Sequence, residues 1–464
     1  MTRFRKLLTA AVLTAMSLGP FAALAHSDSH THTPTQKQTT ATDQAVFKNL
    51  DAYFGQLAKH NKYIGSVALY QNGQLVYHYG STLDKAGIKA TDKVLKYRAG
   101  SVTKMFTGVM ALQLIEEGKL KLDSKLDTFY PGIKNAKIIT IDQMLHHHSG
   151  IKSLTEDPLY DSISFSPQSP ETIAGMIAGY DSVFEPGSRG EYSNSNYILL
   201  GYIIEQLTGQ TYQQNLVSRI NAKLGLSNTS YGGKISPANN EVYSYHWRKD
   251  QWHKSDETDM SVPHGAGAVV STAADLNHFI QGLFAGKLLN PTSLASMTQI
   301  KDGYGKGIFD IQIYEGVQAY FHSGALDDFG AVLAYQPDSK FSLTMLSNGQ
   351  DISDRDVMDA LQMAIKGQLV KIPAFKSVTL TAAELKRFTG EYKSDTHPLD
   401  MTLSVEEGQL MAQATGQDSI PLNSTSATTF TFARAGIEIQ FDASKSQFVI
   451  TQGSRTDTFV RSNQ

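Results

Sequence analysis

Hydrophobic and polar positions change their period several times along the 464 residues. Residues 7–18 are mostly apolar, behind Arg3, Arg5 and Lys6, and the run closes on Ala23-Leu24-Ala25. A basic start, a short apolar stretch and an A-x-A end describe a signal peptide over residues 1–25. Pro20 keeps the run short of the ~20 apolar residues a membrane span needs, so no stable span is expected after cleavage. Residues 26–42 are rich in Thr, Ser, Gln and His and nearly free of apolar side chains, the composition of a disordered tether. His26, His30 and His32 are read as part of that polar spacer rather than as metal ligands.

Regular patterning begins near Ala45. Residues 46–57 have a helical period. Residues 63–79 alternate around Asn72-Gly73, a strong hairpin signal. Helical patterns dominate from Ser101 to about Leu224, and strand patterns return at 318–322, 329–335 and 341–346, before a helix at 353–369. This order predicts one mixed α/β domain over 43–370, with an antiparallel sheet that pairs early with late strands and is flanked by a helical region. Residues 371–380, with Pro373, form the expected linker. From 381 to 464, short alternating segments at 401–405, 409–412, 429–432, 438–441, 447–451 and 456–461 are separated by polar turns. Such spacing predicts a small all-β barrel or sandwich.

Composition narrows the function classes. A chain with 41% hydrophobic and 18% charged residues has enough apolar side chains for a sizeable core. A net charge of −3 without a basic run argues against a nucleic-acid partner. The chain has no Cys, which removes disulfides, thiolate metal sites and a Cys nucleophile. No cofactor or metal is expected. With the signal peptide, this suits a bacterial periplasmic or secreted protein of the Sec type.

Three places carry chemistry. Ser101 precedes a run, residues 102–112, that is apolar nearly all round, so its helix should be buried. Lys104 lies three residues on, which puts both side chains on one face, and a desolvated lysine has its pKa drawn down toward the role of a base. A second Ser-x-x-Lys, Ser149 to Lys152, is interrupted by Gly150 and follows a loop-like His146-His147-His148; it is read as a decoy. The second place is Tyr192-Ser193-Asn194. Here a phenol can relay a proton and an amide can orient the lysine, although Asn194 as a plain helix cap explains the triplet equally well. Tyr70-Gln71-Asn72 has the same pattern but is consumed by the hairpin. The third is His322-Ser323-Gly324 on a late strand, where the Ala325 N–H joins that of Ser101 as a candidate oxyanion hole. His148-Ser149-Gly150 is its decoy.

At these places, and at Phe184-Glu185-Pro186-Gly187, residues 139–145 and residues 265–276, the sequence resembles the serine β-lactamase and penicillin-binding-protein group. It is similar more narrowly to class C β-lactamases and D-alanyl-D-alanine carboxypeptidases, over roughly residues 45–369. The resemblance implies an acyl-enzyme on Ser101, with proton transfer through Lys104 and Tyr192, and substrate binding by Asn194 and by His322, Ser323 and Gly324. Which of Lys104 and Tyr192 is the base stays open. The last segment resembles the lipocalin-like barrel of some such peptidases. The implied substrates are small peptides, esters or β-lactams, with peptidoglycan fragments among the partners.

Class C enzymes carry lysine where this chain has His322. A histidine is a weaker fixed partner for a β-lactam carboxylate, and D,D-peptidase and D-aminopeptidase relatives also use His. A D-stereospecific peptidase or esterase is therefore expected ahead of a β-lactamase. A slow penicillin- or muropeptide-binding sensor is the alternative of another class. Asp327 and Asp328 are expected, if they face the cleft, to select an amine-bearing substrate. The histidine run lacks metal-ligand spacing; His147 is expected to be structural.

Overall fold

A computed structural model describes residues 41–83, 94–248, 251–314, 317–375, 377–442 and 446–462. The expected signal peptide and nearly all of the tether lie outside them. The tether's last two residues instead open a helix, Ala41–Lys59. Among the described residues no helix is long and apolar enough to cross a membrane.

The fold is mixed α/β. Its described residues divide into two compact units, one within 64–349 and one of residues 41–63 together with those from 350 onward. In chain order the strands of the first sheets are β1 (Tyr63–Gln71), β2 (Gln74–Gly80), β3 (Tyr97–Arg98), β4 (Ser230–Tyr231), β5 (Tyr245–Arg248), β6 (Gln251–Lys254), β7 (Val269–Ser271), β8 (Phe309–Tyr314), β9 (Val317–Leu326), β10 (Phe329–Gln336) and β11 (Phe341–Gln350). The main sheet runs β2-β1-β11-β10-β9-β8, with the β5–β6 hairpin branching from β11, and β3-β7-β4 form a small second sheet. The early hairpin and the late strands thus share one sheet. Asn72 and Gly73 both have positive φ, +52° and +81°, as a two-residue turn matching the strands' twist requires. β1 and β11 are buried almost throughout, and both lie in the interior of the strand order.

The helix Thr103–Glu116 is buried from Thr103 to Leu114, which agrees with its all-round apolar sequence. Phe106 stacks on Phe279 with centroids 3.8 Å apart, and the helix Asn194–Thr208 joins the same core. Residues 117–193 are less helical than the pattern suggests. Short helices Ile141–Leu145, Tyr160–Ile163 and Pro170–Ala178 are separated by loops. Pro131, Pro158, Pro167 and Pro186 lie in the non-helical stretches around them, where a missing backbone N–H keeps a longer helix from forming.

In the second unit, the helix Asp354–Ile365 meets Ala41–Lys59 through a hydrogen bond from the Tyr53 hydroxyl to the Asp356 carbonyl, 3.2 Å. The barrel is closed and has eight strands, β12 (Gly390–Lys393), β13 (Met401–Glu406), β14 (Gln409–Ala414), β15 (Ile420–Ser424), β16 (Thr429–Phe432), β17 (Ile437–Asp442), β18 (Gln447–Gln452) and β19 (Arg455–Arg461). The sequence pattern misses β12 and β15. β12 has one buried side chain, Tyr392, and β15 contains Pro421, so neither shows alternation. Phe388, Tyr392, Phe430, Phe441, Phe448 and Phe459 fill the interior, which makes it a packed core, as eight strands allow. Phe448 is fully buried and stacks on Phe459 at 5.1 Å. Replacing it by alanine should destabilise the barrel by about 3–5 kcal/mol, seen as a lower denaturant midpoint in near-ultraviolet circular dichroism.

Candidate active site

Ser101 lies in a single 3₁₀ turn, Gly100–Val102, and the α-helix proper begins at Thr103. Gly100, at φ +51°, makes the sharp turn from β3 into this helix, a backbone conformation L-residues resist. The tightened first turn still places Ser101 and Lys104 on one face. Lys104 Nζ lies 2.9 Å from Ser101 Oγ, 2.8 Å from Asn194 Oδ1 and 2.8 Å from the Ala266 carbonyl oxygen. Its side chain is fully buried, and that burial pulls its pKa well below the ordinary lysine value.

This geometry accommodates both protonation states. An ammonium donates to all three oxygens. A neutral amine has two hydrogens, which go to Asn194 Oδ1 and Ala266 O because those atoms can only accept. Its lone pair then falls on the Ser101 hydroxyl. The amine can therefore take that proton without rearranging its surroundings.

Asn194 opens the helix Asn194–Thr208, but its side chain does not cap it. Its amide nitrogen donates to Thr155 Oγ1 at 3.1 Å, so its oxygen is turned to Lys104. The plain capping explanation is thereby excluded. Tyr192 precedes this helix; its ring centroid is 4.9 Å from Lys104 Nζ. Burial raises the phenol pKa far above its ordinary value, and a hydrogen bond to Ser101 offsets this in part. His147, held at φ +59°, stacks on Tyr192 with centroids 4.5 Å apart. Its Nδ1 accepts the Ser193 N–H at 3.1 Å, so a loop histidine satisfies the helix start. His146 lies 3.3 Å from Asp142 Oδ1 and His148 Nε2 2.8 Å from Asp302 Oδ2.

β9 brings the third element. β8 pairs with β9 only as far as Phe321, so the edge from His322 onward is left by that strand and faces the Ser101 turn. A Cβ on Gly324 would stand 2.1 Å from the Ala99 carbonyl oxygen and 2.9 Å from the Ser101 nitrogen. A Cβ on Gly100 would stand 2.8 Å from the Ala325 nitrogen. The two backbones therefore touch, and Gly324 is required by the protein's own packing rather than by substrate approach. His322 Nδ1 is 2.6 Å from the Ser323 carbonyl oxygen, to which it must donate. The ring is 2% exposed, and burial, with the Lys104 charge nearby, lowers its pKa to about 3. Ser323 and Gly324 are half-buried and Ala325 is exposed.

The decoys are structural. Ser149 is 1% exposed and donates to Asn196 Oδ1 at 2.6 Å, while Lys152 lies over the Tyr180 ring. The expectation for Asp327 and Asp328 requires correction. Asp327 is paired with Arg98 at 2.8 Å, both side chains almost fully buried, and Asp328 accepts from Ser255 Oγ at 2.6 Å. The Asp327 charge is thus paired inside the protein and is not presented to a cleft, and Asp328 is held by Ser255. Sequence reading also missed Ala266 and Arg98. A backbone acceptor has no side-chain signature, and Arg98 meets a partner 229 residues away.

A buried amine bonded to a serine beside the edge of an antiparallel sheet defines a serine hydrolase. The chain belongs to the Beta-lactamase family, which matches residues 50–368. Penicillin-binding protein 4* of Bacillus subtilis (strain 168) is 25% identical over 452 residues, covering 88% of this chain and 98% of that protein. A D-stereospecific amidohydrolase from Streptomyces sp. superposes with a TM-score of 0.59 at 27% identity, over 72% of this chain and 100% of its own. The D-amino acid amidase from Ochrobactrum anthropi SV3, complexed with D-phenylalanine, shares the fold at 24% identity and a TM-score of 0.60, over 69% and 98%.

The lowered His322 pKa has a consequence for stability. Between about pH 3 and the unfolded value of ~6.5, the unfolded chain binds a proton that folded His322 refuses. Stability then falls as pH drops through that window, and His322 adds no slope above it. Relative to wild type, His322→Asn should become more stable by up to about 1.4 kcal/mol for each pH unit below 6.5. Denaturant unfolding at pH 7, 6 and 5 measures this.

Proposed function

We propose that the protein is an exported hydrolase that forms an acyl-enzyme on Ser101 and acts on D-configured peptides and amides or on esters. The observation that carries this is the fully buried Lys104 amine within hydrogen-bond reach of Ser101 Oγ. With its pKa drawn down while that of Tyr192 is pushed up, Lys104 is the group that loses a proton more readily. In this reading it deprotonates Ser101; Tyr192 then passes its proton to the leaving group and regains the one Lys104 took, so phenol and neutral amine are both restored. Asn194 holds the lysine in register.

The Ser101 and Ala325 N–H groups form the oxyanion hole. Leu326 and Phe329 close a two-residue turn, which makes them a hydrogen-bonded pair. The next pair, Ala325 and Gly330, is then of the other kind, so the Ala325 N–H points away from β10. The β9 edge at His322, Ser323 and Gly324 receives the substrate backbone. His322 is neutral here and attracts a carboxylate less than a lysine would, which supports amides and esters over free acids and β-lactams. The amidohydrolase and amidase similarities support the same choice, and the apolar run after Arg3, Arg5 and Lys6 supports export.

A D-amino acid amide and a D-alanyl ester are expected to be turned over with higher kcat/KM than a D-Ala-D-Ala peptide bearing a free carboxylate. The reverse ranking would overturn the substrate assignment. Fluorescent penicillin should label wild type and not Ser101→Ala, and the adduct should decay; a permanent adduct would mark a sensor. Lys104→Arg should lower kcat/KM by about 10²–10⁴-fold. Raising the pH should not restore it, because a guanidinium keeps its proton.

A further inference from the structure

We infer that the Arg98–Asp327 ion pair is a positioning device, setting the spacing between the Ser101 and Ala325 N–H groups and with it the rate of acylation. The inference rests on the reading of Ser101 as nucleophile. Arg98 ends β3, three residues before Ser101, and Asp327 sits at the tip of the β9–β10 hairpin, two residues after Ala325. The pair thus joins the two chain segments whose backbones touch at Gly100 and Gly324.

Both guanidinium Nη atoms and both carboxylate oxygens of the pair are hydrogen-bonded, and the Arg98 Nε alone is left without a partner among the described residues. Arg98 Nη1 donates to Asp327 Oδ2 and to the Thr258 carbonyl oxygen, both at 2.8 Å, and Nη2 donates to the Gly233 carbonyl oxygen at 3.1 Å. Thr258 Oγ1 and the Thr258 N–H donate to Asp327 Oδ1 at 2.7 and 3.2 Å. Both charged side chains are at most 2% exposed, beyond the reach of solvent screening.

Two considerations give this pair its function. First, β8 no longer holds the β9 edge past Phe321, while the contact at Gly100 and Gly324 involves no side chain that could interlock. The hairpin tip must be fixed from elsewhere, and Asp327 is the residue at the tip that is bonded back to the strand leading into Ser101. Second, Thr258 bonds to both Arg98 and Asp327, which ties the hairpin tip and the end of β3 to a third segment and fixes their separation.

Asp327→Asn keeps the shape and removes the charge; Thr258→Val keeps the volume and removes one hydrogen bond. A displaced or lost oxyanion donor typically lowers turnover by two orders of magnitude or more. Asp327→Asn should therefore reduce the rate of Ser101 labelling by fluorescent penicillin and the kcat for the preferred substrate by about 10–100-fold, with KM within about threefold. Thr258→Val should show the same split to a smaller degree. Labelling should still reach completion, unlike in Ser101→Ala. Rates within twofold of wild type, or losses confined to KM, in folded protein would overturn the inference. If Asp327→Asn does not fold, Thr258→Val alone decides. Normal labelling kinetics in both variants alongside a silent Ser101→Ala would sink the positioning role and leave the nucleophile assignment standing. Equal labelling of Ser101→Ala would remove both.

Discussion

A primary amine sealed away from water is the constraint around which the catalytic unit is organised. Taking an ammonium out of water is costly, and Lys104 is fully buried, so the group survives only because every hydrogen it can carry has an oxygen to meet. Those oxygens come from three separate stretches: the turn before its own helix, the start of the Asn194–Thr208 helix, and the Ala266 carbonyl in a short turn, His264–Gly267. A single helix could supply Ser101 but not the other two. The site is thus a consequence of tertiary packing, and each supporting segment is itself pinned. Thr155 turns the Asn194 amide, His147 closes the Ser193 N–H, and Thr107 Oγ1 donates to the Gly265 carbonyl beside Ala266 at 2.6 Å.

The second organising feature is backbone-to-backbone contact between the Ser101 turn and the end of β9. Glycine at 100 and 324 is demanded by distances no Cβ tolerates. This contact places the main chain of Gly324 and Ala325 directly beside that of Gly100 and Ser101. Main-chain dipoles are fixed by the fold and need no reorganisation when charge develops.

What could be read beforehand divides along local and non-local lines. Ser101 with Lys104, and Tyr192 with Asn194, are legible because their relations are set within one helical turn or one helix start. The same locality makes the decoy Ser149–Lys152 visible as a motif, with Gly150 and the preceding histidine run against it; the structure adds that Ser149 is buried and bonded to Asn196. The hairpin at Asn72-Gly73 is legible because two left-handed residues in sequence leave few alternatives. By contrast, β8 was passed over because its register depends on β9, and β12 and β15 because short strands of mixed polarity are defined by barrel closure. The place of Asp327 is not legible, because a charged residue after a strand looks solvent-facing until its distant partner, Arg98, is known.

The same low-dielectric setting decides the charge of the site as a whole. Burial lowers the pKa of Lys104, His147 and His322 together, and the Lys104 charge lowers both histidines further. Three bases in one dry region cannot all hold protons. For His322 the hydrogen bond from Nδ1 to the Ser323 carbonyl is already satisfied by the neutral ring. The ring is therefore spared the charge that a lysine at this position would bring, and Lys104 keeps the lone pair it presents to Ser101 without a permanent cation alongside. Replacing lysine by histidine on this strand thus alters two things at once. A neutral ring offers no charge to an anion, and it leaves the Lys104 amine without a second cation beside it.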